Sequence, residues 1–429
     1  MKLFNVIVVG VFIALAVVSV FIFATYTSFQ KNAVGPVVIW GSFPHSMFES
    51  VMAELSANNN TYEQVTYRNI SKDQFIPSLV QAIASGTGPD LVIFPAENLV
   101  HEGDKLQSIS YQAMSRRDFQ NTFVEAGEIF LESDGIKALP FSIDPLVMYW
   151  NRGLFSVGAI AEAPRYWDQI ADITAKLTRA EKNGTLTQSA VAFGTWDNVD
   201  HAKEIFLTLS RQLGNPIMVV SSNGEYESIL GGVQTGTVNP ADSALRFYTD
   251  FSDPVKPVYS WNRSQPTARS SFIAGKLGIY FGRASELYGI RQANPNLNFD
   301  VAPMPSIRGG GSAVYAEVTG LAIPRGSKNP QGALAVAQAF TSKSIQPQIT
   351  NSLFLPSVRR DSFVGNPNDP YVAMFQQSAL LSFAFLDPDP MSSDSIFKRM
   401  VENVFSGKLQ VSEATRNASA ELQALIGVR

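Results

Sequence analysis

The chain has 429 residues, more than one small core accommodates and enough for two lobes. Hydrophobic residues make up 45% and charged residues 16%, which excludes a disordered chain, and a net charge of −4 leaves no basic excess for nucleic acid. Cysteine is absent, which excludes disulfides, zinc–thiolate sites, cysteine nucleophiles and lipidation at an N-terminal cysteine.

The first element is the uninterrupted apolar run Val6 to Phe23. It is long enough to span a bilayer and longer than the roughly 7–15 residues of a secretory signal core. No small-x-small cleavage site follows it, since the next residues are Ala24-Thr25-Tyr26-Thr27. The expectation is an uncleaved transmembrane helix within residues 1–29, anchoring the chain to the membrane, with 30–35 as a linker.

Pro36 to Gly41 is a β-branched run ending in glycine and predicts a strand. A helix follows through Ala57, with Phe48, Val51, Met52 and Leu55 on one face. Val65 to Ile70 predicts a second strand, Asp73 to Ala84 an amphipathic helix, and Leu91 to Phe94 a third, buried strand. This alternation predicts an α/β fold with mostly parallel sheets flanked by helices.

The stretch Lys137 to Phe155 joins two apolar extended runs, Ala138 to Ile143 and Leu146 to Trp150, at Asp144-Pro145. Proline has no N–H for a central ladder and pushes the residue before it towards an extended conformation. One reading is a strand crossing between two lobes, a hinge with its acid at the cleft. The other is an ordinary strand with a bulge.

Beyond the crossing, helices are expected over Asp168 to Asn183, Asp200 to Gln212, Pro240 to Phe251 and Arg269 to Ala274, with strands at Val191 to Gly194 and Leu277 to Phe281. Leu213 to Thr237 reads as irregular. Phe299 to Ala302 and Gly320 to Ile323 read as strands returning to the first lobe, Pro330 to Ser342 as a helix there, and the remainder as mainly helical. Arg308-Gly309-Gly310-Gly311-Ser312 reads as a flexible loop, because it lacks the Lys-Ser/Thr of a phosphate cradle. The expected lobes are 36–143 plus 306–343 and 144–305 plus 344–429.

Several short stretches resemble a known family in order along the chain. They are Ser85-Gly86-Thr87-Gly88-Pro89-Asp90 before Leu91 to Phe94, and Ala163-Pro164-Arg165-Tyr166-Trp167-Asp168-Gln169-Ile170. They continue with Phe272-Ile273-Ala274-Gly275-Lys276-Leu277-Gly278-Ile279, Thr319 to Pro330, and Ser406-Gly407-Lys408. Together with the Asp144-Pro145 crossing they resemble family 1 extracellular solute-binding proteins, the maltose-type receptors of ABC importers, over roughly residues 36 to 426. The resemblance implies a two-lobe periplasmic-binding-protein fold of type II on the extracellular or periplasmic side. It implies capture of a small polar solute, most of all a carbohydrate, and delivery to ABC transporter permease subunits, with no enzyme activity and no cofactor. The apolar N-terminal helix would replace the lipid that many members carry.

In open α/β sheets ligands lie beyond the carboxyl ends of the strands. That rule selects Trp40, Gly41, Ser42 and Phe43 after the first strand, and Phe94, Pro95, Glu97 and Asn98 after the third. In the second lobe it selects Trp196, Asp197, Gly282, Arg283 and Glu286. Such residues suit sugars, whose apolar faces stack on aromatic rings and whose hydroxyls bond carboxylates, amides and guanidinium groups. The resemblance carries the family's cleft acid onto Asp144, its aromatic onto Phe94 and its polar pair onto Glu97 and Asn98. It carries the acidic–aromatic stretch onto Trp196 to Asn198 and the late cleft aromatic onto Ser393 or Asp394, with Tyr315 or Trp261 as substitutes for missing platforms. Trp167 falls on a position that packs at a helix start. Phe94 also fits the core.

Enzyme chemistry is not expected. His45, His101 and His201 lack metal-ligand spacing and read as surface or cleft-rim residues, and no G-x-S-x-G elbow occurs. Asp387-Pro388-Asp389-Pro390 reads as a turn presenting polar groups to the cleft rather than as a Ca²⁺ loop. Three alternatives stay open: a non-sugar ligand such as a polyamine, a glycerol-phosphate or an anion held by Arg283; a sensing subunit for a membrane kinase; and a cell-surface hydrolase. The hydrolase needs two carboxyl groups about 5–9.5 Å apart.

Overall fold

The computed structural model describes residues 13–19, 34–56, 60–232, 239–362 and 370–426. Among them no helix is long and apolar enough to cross a membrane. The run Val6 to Phe23 lies outside the described residues except for 13–19, which are helical and exposed.

Three β-rich runs build the first sheet: β1 (Val37–Gly41), β2 (Val65–Asn69) and β3 (Leu91–Pro95). β1 pairs in parallel with β2 and β3, with the helices His45–Ser56 and Lys72–Ala84 between consecutive strands. Continuous apolar stretches such as Leu-Val-Ile-Phe suit a strand covered on both faces. The start of β3 is fixed by Asp90, whose carboxylate accepts from Val38 N at 3.0 Å and from Lys328 N and Asn329 N, each at 3.0 Å. Asn329 in turn caps the helix Pro330–Phe340 through Gly332 N. The short β4 (Leu106–Gln107) lies beyond, against the late strand that follows β3 in the sheet.

Both readings of the Asp144-Pro145 stretch are partly met. β5 (Leu139–Asn151) is one strand of 13 residues, and it does pass from one core to the other. Residues up to Ile143 pack in the first hydrophobic cluster and residues from Leu146 in the second. Pro145 takes part in the second lobe through its carbonyl, which accepts from Ala284 N at 3.0 Å.

The second lobe contains β6 (Arg179–Ala180), β7 (Leu186–Val191), the hairpin β8 (Met218–Val220) and β9 (Tyr226–Ser228), β10 (Leu277–Arg283) and β11 (Phe299–Ala302). The hairpin closes around the Asn223-Gly224 turn in a stretch expected to be irregular, because its strands have only three residues each. The expected strand at Val191 to Gly194 ends instead at Val191 and begins at Leu186. β11 pairs with β5 in antiparallel register from Phe299↔Asn151 to Ala302↔Met148, so it stays in the second lobe.

The return to the first lobe is therefore not at Phe299 to Ala302 or by residue 306, as expected, but within β12 (Val314–Pro324). Val314 and Tyr315 pack in the second cluster, and Ala316 onwards in the first. β12 runs antiparallel to β5 with Ala316↔Pro145, Glu317↔Asp144 and Val318↔Ile143, so the two crossings lie side by side. β12 also pairs antiparallel with β3. The expected mostly parallel sheets are thus mixed: two hinge strands of opposite direction force antiparallel neighbours in both lobes.

A third passage lies near β13 (Ser382–Phe383), which pairs with Val314 and Tyr315. Before it, Ile345, Ile349, Val358 and Ala379 pack in the first cluster, whereas the sequence reading placed everything from 344 onwards in the second. The helices Pro390–Phe405 and Val411–Ile426 complete the second lobe.

Candidate functional site

A cleft of about 360 Å³ opens where the lobes meet at the paired crossings. Its first-lobe wall comes from the loop after β1 (Ser42, Phe43, Pro44) and from Pro95, Glu97 and Asn98 after β3. The helix Lys72–Ala84 adds Lys72, Phe75 and Ile76, and the segment after Ile349 adds Ser352, Leu353 and Leu355. The hinge strands contribute Ser142, Asp144, Glu317 and Thr319, and the second lobe contributes Ser285.

Register explains this meeting. Asp144 and Glu317 face each other as cross-strand partners on β5 and β12. Ser142 and Thr319 are also partners, and their hydroxyls lie 2.7 Å apart. Asp144 accepts from Ser285 N at 3.1 Å and Ser285 Oγ at 2.6 Å, which ties the hinge to the turn after β10. Burial raises its pKa, with the Arg283 charge and the Ser285 hydrogen bonds opposing.

A chain of ion pairs runs from the cleft wall into the second lobe. Lys72 Nζ is 2.7 Å from Glu317 Oε1, and Arg283 Nη1 bonds the other oxygen of Glu317. Arg283 Nη2 donates to Glu204 Oε1 at 3.0 Å. His201 Nε2 lies 2.7 Å from Glu286, which also accepts from Arg269 Nε at 3.1 Å, Tyr280 OH at 2.7 Å and Arg283 N at 2.8 Å. Burial would pull His201 down, but the hydrogen bonds and charges of Glu204 and Glu286 outweigh it and push its pKa up to about 9. Burial would likewise raise Glu286, yet His201 and the backbone and tyrosine donors hold it at about 2. A separate pair, Lys203 Nζ to Asp387 Oδ2 at 2.5 Å, is completed by Ser393 Oγ.

Glu97 differs from these. Its carboxylate makes no hydrogen bond among the described residues; burial and then the Asp387 charge raise its pKa, against Arg283, Lys203 and Lys72. Burial, followed by the Arg283 charge, lowers Lys72, with Glu97 and Asp144 opposing.

Of the expected residues, Ser42, Phe43, Pro95, Glu97, Asn98 and Asp144 line the cleft, and Arg283 lies directly behind it through Glu317. The others do not. Trp40 is 6% exposed in the first core, under the Arg68 guanidinium at 5.0 Å, because its position on β1 points it into packing rather than past the strand end. Phe94 is fully buried, as the core reading allowed. Trp196 is buried on Phe397 and donates Nε1 to Asp394 at 3.1 Å, which occupies both residues with each other. Asp197 is exposed in an ion pair with Lys398. Gly282 is buried at a place where a Cβ would meet the Tyr280 ring at 2.5 Å. Tyr315 packs edge-on against Phe383 in the second core, and Trp261 is fully buried.

Trp167 packs in the core, with Nε1 donating to Gln212 at 2.7 Å. His45 and His101 are surface residues, whereas His201 is buried between two glutamates. Asp387 is buried on Lys203, and Asp389 caps the helix Pro390–Phe405 through Ser392 N, so that run serves packing and capping. Sequence reasoning did not select Lys72, Ser142, Glu317, Thr319 or Ser352, whereas Ser285 ends the Gly282–Ser285 stretch onto which the resemblance carries a binding position. Ser142 lies within the Ala138 to Ile143 run and Thr319 opens the Thr319 to Pro330 stretch; Lys72, Glu317 and Ser352 carry no local signal. Among the described residues no group of three or more His, Cys, Asp or Glu could hold a metal ion.

The profile of the bacterial extracellular solute-binding protein family matches residues 46–347. A binding protein of Brucella abortus (strain 2308) is 22% identical over 388 residues, covering 88% of this chain and 89% of its own. The cyclic alpha-maltosyl-1,6-maltose binding protein of Arthrobacter globiformis is 17% identical, with a TM-score of 0.73 over 91% of this chain and 99% of its own. CpMnBP1 with mannotriose bound is 19% identical, with a TM-score of 0.65 over 90% of this chain and 100% of its own. These structural likenesses show the two-lobe fold.

Proposed function

The chain belongs to the bacterial extracellular solute-binding proteins, and we propose that the solute it captures is a saccharide held between the two lobes that fold around the β5–β12 hinge. The observation that carries this reading is the cleft lining. Ser42, Asn98, Ser142, Thr319, Glu97 and Asp144 supply hydroxyl, amide and carboxylate groups beside the apolar Phe43, Phe75, Ile76, Leu353 and Leu355. A sugar needs both kinds of surface. Relatives of the same fold that bind a cyclic maltosyl-maltose and mannotriose support the class. An anion is less well served, because Lys72, Arg283 and Lys203 are each already bonded to a carboxylate.

Closure is a population shift: a solute touching both lobes favours the closed state by its differential affinity. No bond is made or broken, and the loaded protein hands its solute to ABC permease subunits. The apolar run Val6 to Phe23 holds the chain at the membrane with the two lobes outside the cell.

The experiment is mass spectrometry of solute retained through native purification, followed by melting-temperature shifts across a saccharide panel, since a solute that binds only the folded state stabilises it. A saccharide that is retained and raises the melting temperature is the expected result. Shifts by polyamines or anions with none by any saccharide would overturn it. The anchor is tested separately: the full chain should stay with membranes after a high-salt wash, and a version beginning at Gly35 should not. A mature N-terminus between Ala24 and Val34 would refute the anchor.

A further inference from the structure

One contact joins the lobes outside the cleft lining. Tyr288 lies on the helix Glu286–Ala293, whose Leu287 and Ile290 pack in the second core. Phe354 ends the helix Gln346–Leu353, whose Ile349 packs in the first. The two rings meet with centroids 4.2 Å apart and planes at 47°. Tyr288 is 43% and Phe354 53% exposed, so the pair sits at the surface between the lobes.

Its place in the chain puts it at one end of the cleft. Ser285, a cleft residue, lies at the start of the helix that carries Tyr288. Ser352, Leu353 and Leu355, all cleft residues, flank Phe354. The backbone at Phe354 is left-handed, with φ 54° and ψ 37°, a conformation that favours glycine and costs a bulky residue. Such conformations persist where the surroundings over-determine them, and they gather at ligand clamps. Here the strain turns an aromatic ring outward against the other lobe, where a glycine would present none.

We propose that Tyr288 and Phe354 form an aromatic clasp that closes one end of the cleft as the lobes meet, and so set the length of the saccharide the cleft accepts. The proposal rests on the saccharide reading above. A contact between lobes exists only while they are together, so the clasp must part to admit solute and re-form behind it. A chain running past the pair would hold the rings apart and lose the closed state. A cavity of about 360 Å³ is at the small end of ligand sites and agrees with a short solute.

Two measurements test it. The chain has no cysteine of its own, so Tyr288→Cys/Phe354→Cys can be bridged by a short bismaleimide without background. Bridging should proceed faster with the preferred short saccharide bound than without it, since solute favours the closed state, and neither single variant should give the product; no bridging in either condition, or a rate the saccharide leaves unchanged, would overturn the clasp. In the second, gluco- and manno-oligosaccharides of one to six units are titrated calorimetrically. Wild type should bind its preferred short member at least tenfold more tightly than the hexamer, and Tyr288→Ala and Phe354→Ala should flatten that preference. Phe354→Gly should flatten it too while melting no lower than wild type, because it relieves the left-handed strain. A saccharide series bound without length preference, or a preference that survives both alanine variants, refutes the clasp and leaves the saccharide reading standing. If no saccharide binds, both fall.

Discussion

Replacing Arg283 by methionine should be among the more damaging single changes at the cleft. The guanidinium holds Glu204 Oε1 at 3.0 Å through Nη2 and bonds Glu317 through Nη1, and its Nε is buried without a partner among the described residues. The Arg283, Glu204 and Glu317 side chains are only 19%, 17% and 15% exposed. Removing one partner of a buried ion pair costs about 3–5 kcal/mol, because the other charge stays buried. The expectation lies at the low end, about 3 kcal/mol, because each carboxylate keeps a second cation. Glu317 keeps Lys72 at 2.7 Å, and Glu204 keeps His201 at 3.8 Å. Urea unfolding should show a lower midpoint with an unchanged slope. The cause is separated by a double-mutant cycle with Glu317→Gln, which removes one stranded charge. The double variant should lose less than the sum of the singles, with a coupling on the order of 1–3 kcal/mol. A loss under about 0.5 kcal/mol for Arg283→Met, or single losses that simply add, would refute the reasoning.

Three further outcomes are expected. His201 has its pKa raised from 6.5 to about 9, so its contribution is fully present below pH 6.5 and is lost as pH rises through about 9. At about 1.4 kcal/mol per unit that is on the order of 3 kcal/mol, and the stability gap between wild type and His201→Gln should narrow by that much between pH 6 and pH 10; a gap independent of pH would show the histidine to be neutral. Glu97→Gln should leave unfolding stability unchanged or higher, since it discharges an unpartnered carboxylate, yet weaken saccharide binding by about 1–3 kcal/mol in calorimetry; equal losses of both would make Glu97 a structural residue. Gly320→Ala should destabilise by about 1–3 kcal/mol, because its Cβ would stand 2.6 Å from Ala138 Cβ and 2.8 Å from the Phe130 ring; an unchanged urea midpoint would contradict this packing.

Much of the fold was legible in local chemistry. β1, β3 and the helices between them follow from β-branched runs and 3.6-residue periodicity, and both survive in the structure within a residue or two. The Gly-Pro-Asp and Ser-Lys-Asn-Pro stretches were recognisable because Asp90 must meet the Lys328 and Asn329 amides and Asn329 must cap a helix. Those are fixed local geometries with narrow residue choice. The same narrowness explains why they say little about the solute: they staple the lobe and do not line its cleft.

The cleft was only half legible. The strand-end rule found Ser42, Phe43, Glu97 and Asn98 because it concerns single strands, and the proline marked Asp144. It failed at Trp40 on β1 and at Trp196 in the loop after β7, which both end in the core, because whether a ring enters the core or the cleft depends on the distant segments that pack against it. Lys72 meets Glu317 across 245 positions, and Asp144 meets Glu317 only because β5 and β12 run antiparallel in one register. Composition and periodicity determine which segments become strands and helices, since those preferences act over a few residues. Which carboxylates find a cation, which tryptophans stay dry and where the chain returns to its first lobe depend on pairings between distant segments, and these exist only once the whole chain has packed.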